Sequence, residues 1–188
     1  ALPAEQTKKQ AGTLTWCGDW AKVVAHFQSP FWRTHGQSGV VATAGPIQIW
    51  WEGGGGSELG DESYALIGLG VGESTRKFAR LGDSGADNES ELRAFVIKTL
   101  SAAFGEEVAA TLTHATCQAW IADPLTYNPG GSHRDYGHPL LKRATDWGLH
   151  FAGTETEAAN GHVEGAIAAG EHAAAEVAEA LLSGASSK

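Results

Sequence analysis

The run Trp20 to Gln28 constrains the fold more than any other part of the sequence. Ala21, Val23, Ala25 and Phe27 alternate with Trp20, Lys22, Val24 and His26, the two-residue period of a β-strand, and Pro30 closes it. Gly39 to Thr43, Ile47 to Glu52 and Tyr64 to Leu69 are similarly rich in β-branched or aromatic residues, and Thr111 to Ile121 returns to the same pattern. Together they predict an antiparallel or mixed sheet. Gly53 to Ser57 lies between two of these runs and reads as a loop, not as a linker between domains.

Helical patterns flank the strands. Ser90 can cap a helix whose Leu92, Phe95, Val96, Leu100 and Ala103 recur on one face until Gly105 stops it. Pro3 to Gly12 predicts a short exposed helix, and Asp123 to Pro139 a long loop, which in a compact domain is often functional. Near the end, Gly148 to Ala152 reads as a short apolar strand. A polar turn follows it, then a helix from Gly161 to Leu182 with Val163, Ile167, Ala174, Val177 and Leu181 on one face.

Composition narrows the function classes. With 13 basic and 22 acidic side chains the formal charge is -9, and 42% hydrophobic with 19% charged residues is a globular mixture. From Phe151 to Ser187 there are six acidic residues and no Lys or Arg, which repels a phosphate backbone, so nucleic acid is not an expected partner. No apolar run approaches the roughly 18 residues of a membrane span, and no basic-then-apolar leader opens the chain. Cys17 and Cys117 are too few for a disulfide framework. A cytoplasmic location without membrane attachment is the expectation, and a homo-oligomer is compatible with it. The chain begins at Ala1 and contains no methionine. It is therefore expected to be a fragment or a processed chain, or else a sequence written without its modified methionines, which would shift spacings by about one residue per segment.

In a strand-turn-helix unit, ligands gather beyond the carboxyl end of the strand, where glycines admit backbone and helix N–H groups meet negative charge. The turn here reads Phe151-Ala-Gly-Thr-Glu-Thr-Glu-Ala-Ala-Asn-Gly-His-Val-Glu-Gly165. By spacing alone, Gly153 equally marks a tight turn, Gly161 a helix start, and Gly165 and Gly170 close helix packing. The whole stretch Phe151 to Ala174 resembles the terminal flavin-contacting motif of the flavin-dependent amine oxidases, the monoamine oxidase-like superfamily. Lys22-Val-Val-Ala-His-Phe-Gln-Ser-Pro-Phe-Trp-Arg33, followed by Ser38-Gly39, is similar to that family's lysine strand, and Trp120 with Asp123-Pro124 to its tryptophan segment.

The resemblance implies an α+β fold. Residues 1–145 would form a substrate-binding domain, a mainly antiparallel sheet flanked by helices. Residues 146–188 would supply the terminal strand and helix of a discontinuous, Rossmann-like FAD-binding domain. The N-terminal half of that domain, with its GxGxxG turn, is absent from this sequence. It also implies oxidation of a small-molecule amine to an imine by hydride transfer to FAD, with reoxidation by O2 to hydrogen peroxide.

Lys22 matches the family lysine that holds a water at flavin N5. Alone it reads as the solvent side of a strand. Trp120 matches the tryptophan on the isoalloxazine, and alone reads as a core tryptophan. Gly153, Thr154 and Glu155 match the turn beside the flavin, and Gly161, His162, Val163 and Glu164 the helix start facing the pyrimidine O2. Glu155 and Glu164 equally suit helix N-terminal carboxylates. Where monoamine oxidases have two cage tyrosines, the nearest matches are His162 and His133, and the turn between Thr156 and Gly161 is about one residue short. The cysteine that carries flavin covalently in some members falls near Ser132, so the FAD is expected to be noncovalent and not retained by this chain alone. Arg33 reads as a structural anchor. His133, Asp135 and His138, or His114 with Cys117, do not make a recognised metal-ligand set. The rival reading is a noncatalytic interaction module that keeps the substrate-domain fold.

Overall fold

The computed structural model describes residues 1–15, 17–53, 64–82, 86–128, 133–158 and 162–185. In chain order the elements are α1 (Ala4–Ala11), β1 (Trp20–Phe27), α2 (Phe31–Thr34), β2 (Val41–Ala42), β3 (Ile49–Gly53), β4 (Tyr64–Val71), α3 (Phe78–Leu81), α4 (Ala86–Phe104), α5 (Glu107–Thr111), β5 (Leu112–Ala119), α6 (Pro139–Lys142) and α7 (Val163–Ala185). Single 3-10 turns occur at Glu73–Thr75, Trp120–Ala122, His133–Asp135 and Thr154–Thr156. The chain forms two compact units, Cys17–Tyr127 and Ala1–Trp16 with Asn128–Lys188. These units do not coincide with a division at residue 145, because residues after 128 associate with α1. Gln6 donates from Nε2 to the Arg143 carbonyl at 2.8 Å, Tyr136 from its hydroxyl to the Leu14 carbonyl at 2.9 Å, and Lys9 pairs with Asp135 at 3.0 Å.

The unit Cys17–Tyr127 holds a sheet of order β2-β3-β4-β1-β5 in which every neighbouring pair is antiparallel, so the mixed alternative falls away. Alternation along β1 is borne out: Ala21, Val23, Ala25 and Phe27 are all buried. Leu92, Val96 and Leu100 of α4 are buried in the same core, while Phe104 takes the place expected of the exposed Ala103. The helix starts at Ala86, with Ser90 inside it, and its early turns are tied by Arg80 to Asn88 at 2.9 Å and Glu91 at 2.5 Å. Gly105 ends it at φ +80°, a conformation glycine adopts without a Cβ clash.

Small residues open the core side of the sheet. Gly68 lies opposite Trp50, and a Cβ there would come within 2.6 Å of Ile47 and 2.8 Å of the Trp50 ring. The missing side chain is the space that Trp50 and Ile47 fill. At the far end of β1, Phe27, Phe31, Trp32 and Phe104 stack edge to face with centroids 5.0 to 5.9 Å apart, a packing mode aromatic quadrupoles favour. The Arg33 guanidinium, carried on α2, pairs with Glu52 of β3, in keeping with an anchoring role.

In the second unit the expected strand Gly148 to Ala152 does not form. Thr145 and Leu149 close a tight turn, with the Thr145 N–H donating to the Leu149 carbonyl at 2.9 Å, and irregular chain follows. A strand needs a paired neighbour for its backbone groups, and among the described residues this unit has none. The terminal helix α7 is present, but the face expected to be buried is not: Val163 is 75% exposed, Ile167 52% and Leu181 69%. Burial falls instead on Gly165 and Ala169, whose small size lets the helix approach the Thr154–Thr156 turn closely. No described helix is long and apolar enough to cross a membrane. The predicted loop at Gly53 to Ser57 lies outside the described residues from position 54 onward.

Candidate functional site

Each unit presents one part of the site that the sequence predicts. On β1, alternation turns Lys22 away from the core, and the side chain is exposed. Register places it between Leu69 of β4 and Gln118 of β5, and Leu69 in turn pairs with Ile49 of β3. One step along, Val24, Ile67 and Trp51 form the next row. Lys22 is the only lysine or arginine among the described strand residues of this face. The β3 and β4 side of the face is a shelf of apolar and aromatic side chains beside the single ammonium, while the β5 side carries the polar Gln118 and Thr116. β5 leaves the sheet one residue after Ala119 pairs with Ala21, which sets the half-buried Trp120 at the end of the sheet where Trp20 and Lys22 also lie. Cys117 takes the opposite side, where its thiol donates to the Phe78 carbonyl at 3.4 Å.

The same face carries a feature that sequence reasoning missed. His26 and His114 stand directly opposite each other on β1 and β5, with rings stacked 4.1 Å apart and 7° from parallel. Burial holds the His26 imidazole below its ordinary pKa, and the neighbouring His114 charge adds to the effect. The pairing depends on strand register, which no local window of sequence contains.

In the other unit, Gly153 sits at φ 148°, a backbone conformation that residues with a Cβ rarely adopt, so the turn favours glycine. The buried Thr156 donates from both its N–H and its hydroxyl to the Gly153 carbonyl, at 2.9 and 2.8 Å. Thr154 donates from Oγ1 to the His162 carbonyl at 3.0 Å, tying the turn to the start of α7. The Gly137 N–H, from the chain before α6, donates to the Glu155 carbonyl at 2.9 Å. Phe151, Ala152, Glu155 and Thr156 border a cavity of about 230 Å³. His162, Val163 and Glu164 are all exposed at the helix start, where the first N–H groups of a helix have no intrahelical acceptor. Gly153, Thr154, Glu155, His162, Val163 and Glu164 are thus gathered in one place. Gly161, Ser132 and the side chain of His133 lie outside the described residues.

Comparison with known proteins gives a consistent pattern. The family model described as flavin containing amine oxidoreductase matches residues 2–178. Amine oxidase [flavin-containing] B of the dog, Canis lupus familiaris, is 30% identical over 191 residues, covering 95% of this chain and 34% of that protein. The human protein of the same name is 29% identical over a match of the same extent. The chain spans about a third of the length of these curated relatives. Among solved structures, wild-type putrescine oxidase bound to putrescine superposes with a TM-score of 0.68 at 21% identity, over 95% of this chain and 38% of that one. At that identity the likeness concerns the fold.

Proposed function

Because the chain belongs to the flavin-containing amine oxidoreductase family, we propose that it supplies the lysine-bearing sheet and the terminal flavin-side turn and helix of an FAD-dependent amine oxidase. The observation that carries this reading is Lys22, the one ammonium among the described strand residues of an exposed sheet face, with Leu69, Ile67, Ile49 and Trp51 on its β4 and β3 side. FAD, when bound, supplies a hydride acceptor for the amine-bearing carbon, and dioxygen restores it with release of hydrogen peroxide.

The residues present suit such a cofactor. The start of α7 offers positive potential to an electron-rich ring edge, worth roughly 0.3 to 1 kcal/mol. On the sheet, Lys22 places a point charge and holds a water where oxygen chemistry occurs, and Trp120 supplies a flat apolar wall. Ile49, Trp51, Ile67 and Leu69 line the shelf against which the carbon chain of the amine lies. Their apolar surface favours the neutral amine, which must lose its proton before hydride departs. By the family resemblance, His162 and His133 are the nearest matches to the pair of aromatic cage residues that would hold the amine.

Three sets of measurements test the reading. Titrating the 188-residue chain with FAD should give no binding tighter than about 1 µM, because the sequence contains no GxGxxG turn for the ADP end. Tight stoichiometric binding would overturn that assignment. In the full-length protein, a visible flavin band and amine-dependent hydrogen peroxide are expected, whereas a colourless protein would favour the noncatalytic interaction module. Acid precipitation of the yellow protein should leave flavin in the supernatant, since in sequence the family's flavin-bearing cysteine falls near Ser132. Flavin in the pellet would contradict a noncovalent cofactor.

A further inference from the structure

The segment between Thr145 and the Gly153 turn is pinned to α7 by a three-residue contact. The Glu176 carboxylate takes up His150 Nδ1 on one oxygen at 3.1 Å and His172 Nε2 on the other at 3.1 Å. His172 lies one helical turn before Glu176, so that contact is internal to α7, whereas His150 reaches it from outside the helix. The side chain of His150 is only 16% exposed and that of Glu176 30%. Three residues beyond His150 the chain enters the Gly153–Thr156 turn, which is otherwise held by Thr154 to His162 and by Gly137 to Glu155.

From this geometry we infer that Glu176 is a positioning residue: through His150 it fixes the chain entering the Gly153–Thr156 turn, and His172 orients the carboxylate for that contact. The inference that this matters for cofactor binding rests on the proposed flavin-side role of the turn. The contact itself does not.

The carboxylate is well suited to the task. The His150 hydrogen bond is the largest effect and holds the Glu176 carboxyl below the usual glutamate range; burial, next in size, opposes it, and the charges of His172 and His150 and the His172 hydrogen bond add to the lowering. A group depressed in the folded state contributes stability that is present above its unfolded pKa and is lost as pH falls through the folded value. The contact therefore persists to lower pH than an ordinary glutamate would allow. Other charged side chains on the elements packed here are Glu155, Lys142, Arg143, Glu157, Asp146, Glu164, Glu171 and Glu179, of which Lys142 and Glu157 pair with each other at 3.8 Å and Arg143 pairs with Glu5 at 3.1 Å.

Amide hydrogen exchange of the 188-residue chain tests the contact directly. In Glu176→Gln and in His150→Gln, exchange of the Thr156 and Gly137 amides should rise by about tenfold. The double variant should be no worse than either single, because both remove the same link. His172→Gln should have the smaller effect. Protection, corrected for intrinsic rate, should hold through the ordinary glutamate range near about pH 4.3 in the wild type and be low at every pH in Glu176→Gln. Effects that multiply in the double variant, or turn amides that change no more than those of β1, would overturn the inference. With FAD bound in the full-length protein, Glu176→Gln should also loosen the flavin or shift its spectrum. Faster turn exchange with an unchanged flavin would leave the contact standing and remove the turn from the cofactor site.

Discussion

Gly70→Ala should cost the sheet-bearing unit about 3 kcal/mol or more, over half the stability of a domain at the weak end of the usual range of about 5 to 15 kcal/mol. Gly70 is buried on the core side of β4 opposite Ala21, and a Cβ there would overlap the carbonyl oxygen of Pro46. Thr75 Cγ2, at 3.0 Å, closes another direction of escape. Pro46 cannot withdraw freely because its turn is fastened on both sides. The Gln48 N–H donates to the Leu69 carbonyl at 2.9 Å, and the Thr43 N–H to the Gln48 carbonyl at 2.8 Å. Moving the turn forfeits hydrogen bonds worth about 0.5 to 1.5 kcal/mol each, in addition to overpacking. Gly105→Ala is the matched control, since that position has φ +80° with nothing within 4 Å and should lose only about 1 to 2 kcal/mol through backbone strain. Urea unfolding of the two variants separates the effects. Equal losses would mean that the close approach of Pro46 is easily relieved.

Lys22→Met in the full-length, FAD-loaded protein should slow the oxidative half-reaction by roughly 10²-fold and the reductive half-reaction by only a few-fold. Methionine nearly preserves the volume and the strand, so packing changes little. What disappears is the charge, and no other described strand residue on that face replaces it: the neighbours in register are Leu69 and Gln118. Amine oxidation depends chiefly on how the substrate carbon is placed, which the apolar shelf determines. Stopped-flow measurement of each half-reaction decides the matter. Unchanged reoxidation would return Lys22 to the role of an exposed strand residue.

Much of the fold is legible in the sequence where a local pattern and its tertiary partner agree. Alternation in β1 and the Leu92, Val96, Leu100 spacing both survive because α4 covers the side of the sheet they share. The reading fails where the partner is missing from the local pattern. Gly148 to Ala152 has strand-like residues but no neighbouring strand, and Val163, Ile167 and Leu181 form an apolar helical face that this unit leaves open. The site divides in the same way. The Phe151 to Gly165 stretch gathers its residues within a few turns of chain, so a motif suffices to find them. Lys22 is indistinguishable from any outward strand lysine until the uncovered shelf around it is known. His26 with His114, and His150 with Glu176, become visible only once distant segments are brought into register.

The position of β1 in the strand order has a mechanical consequence. It is bonded to β4 on one side and β5 on the other, with Ala21 to Ala25 in unbroken register on both. Local fraying therefore does not reach Lys22. Displacing it means opening the sheet as a whole, at a free energy close to that of global unfolding. The Gly153–Thr156 turn belongs to no sheet and opens when a few hydrogen bonds break. One segment works as a fixed post and the other as a latch, so heat or denaturant should release the latch long before the post moves.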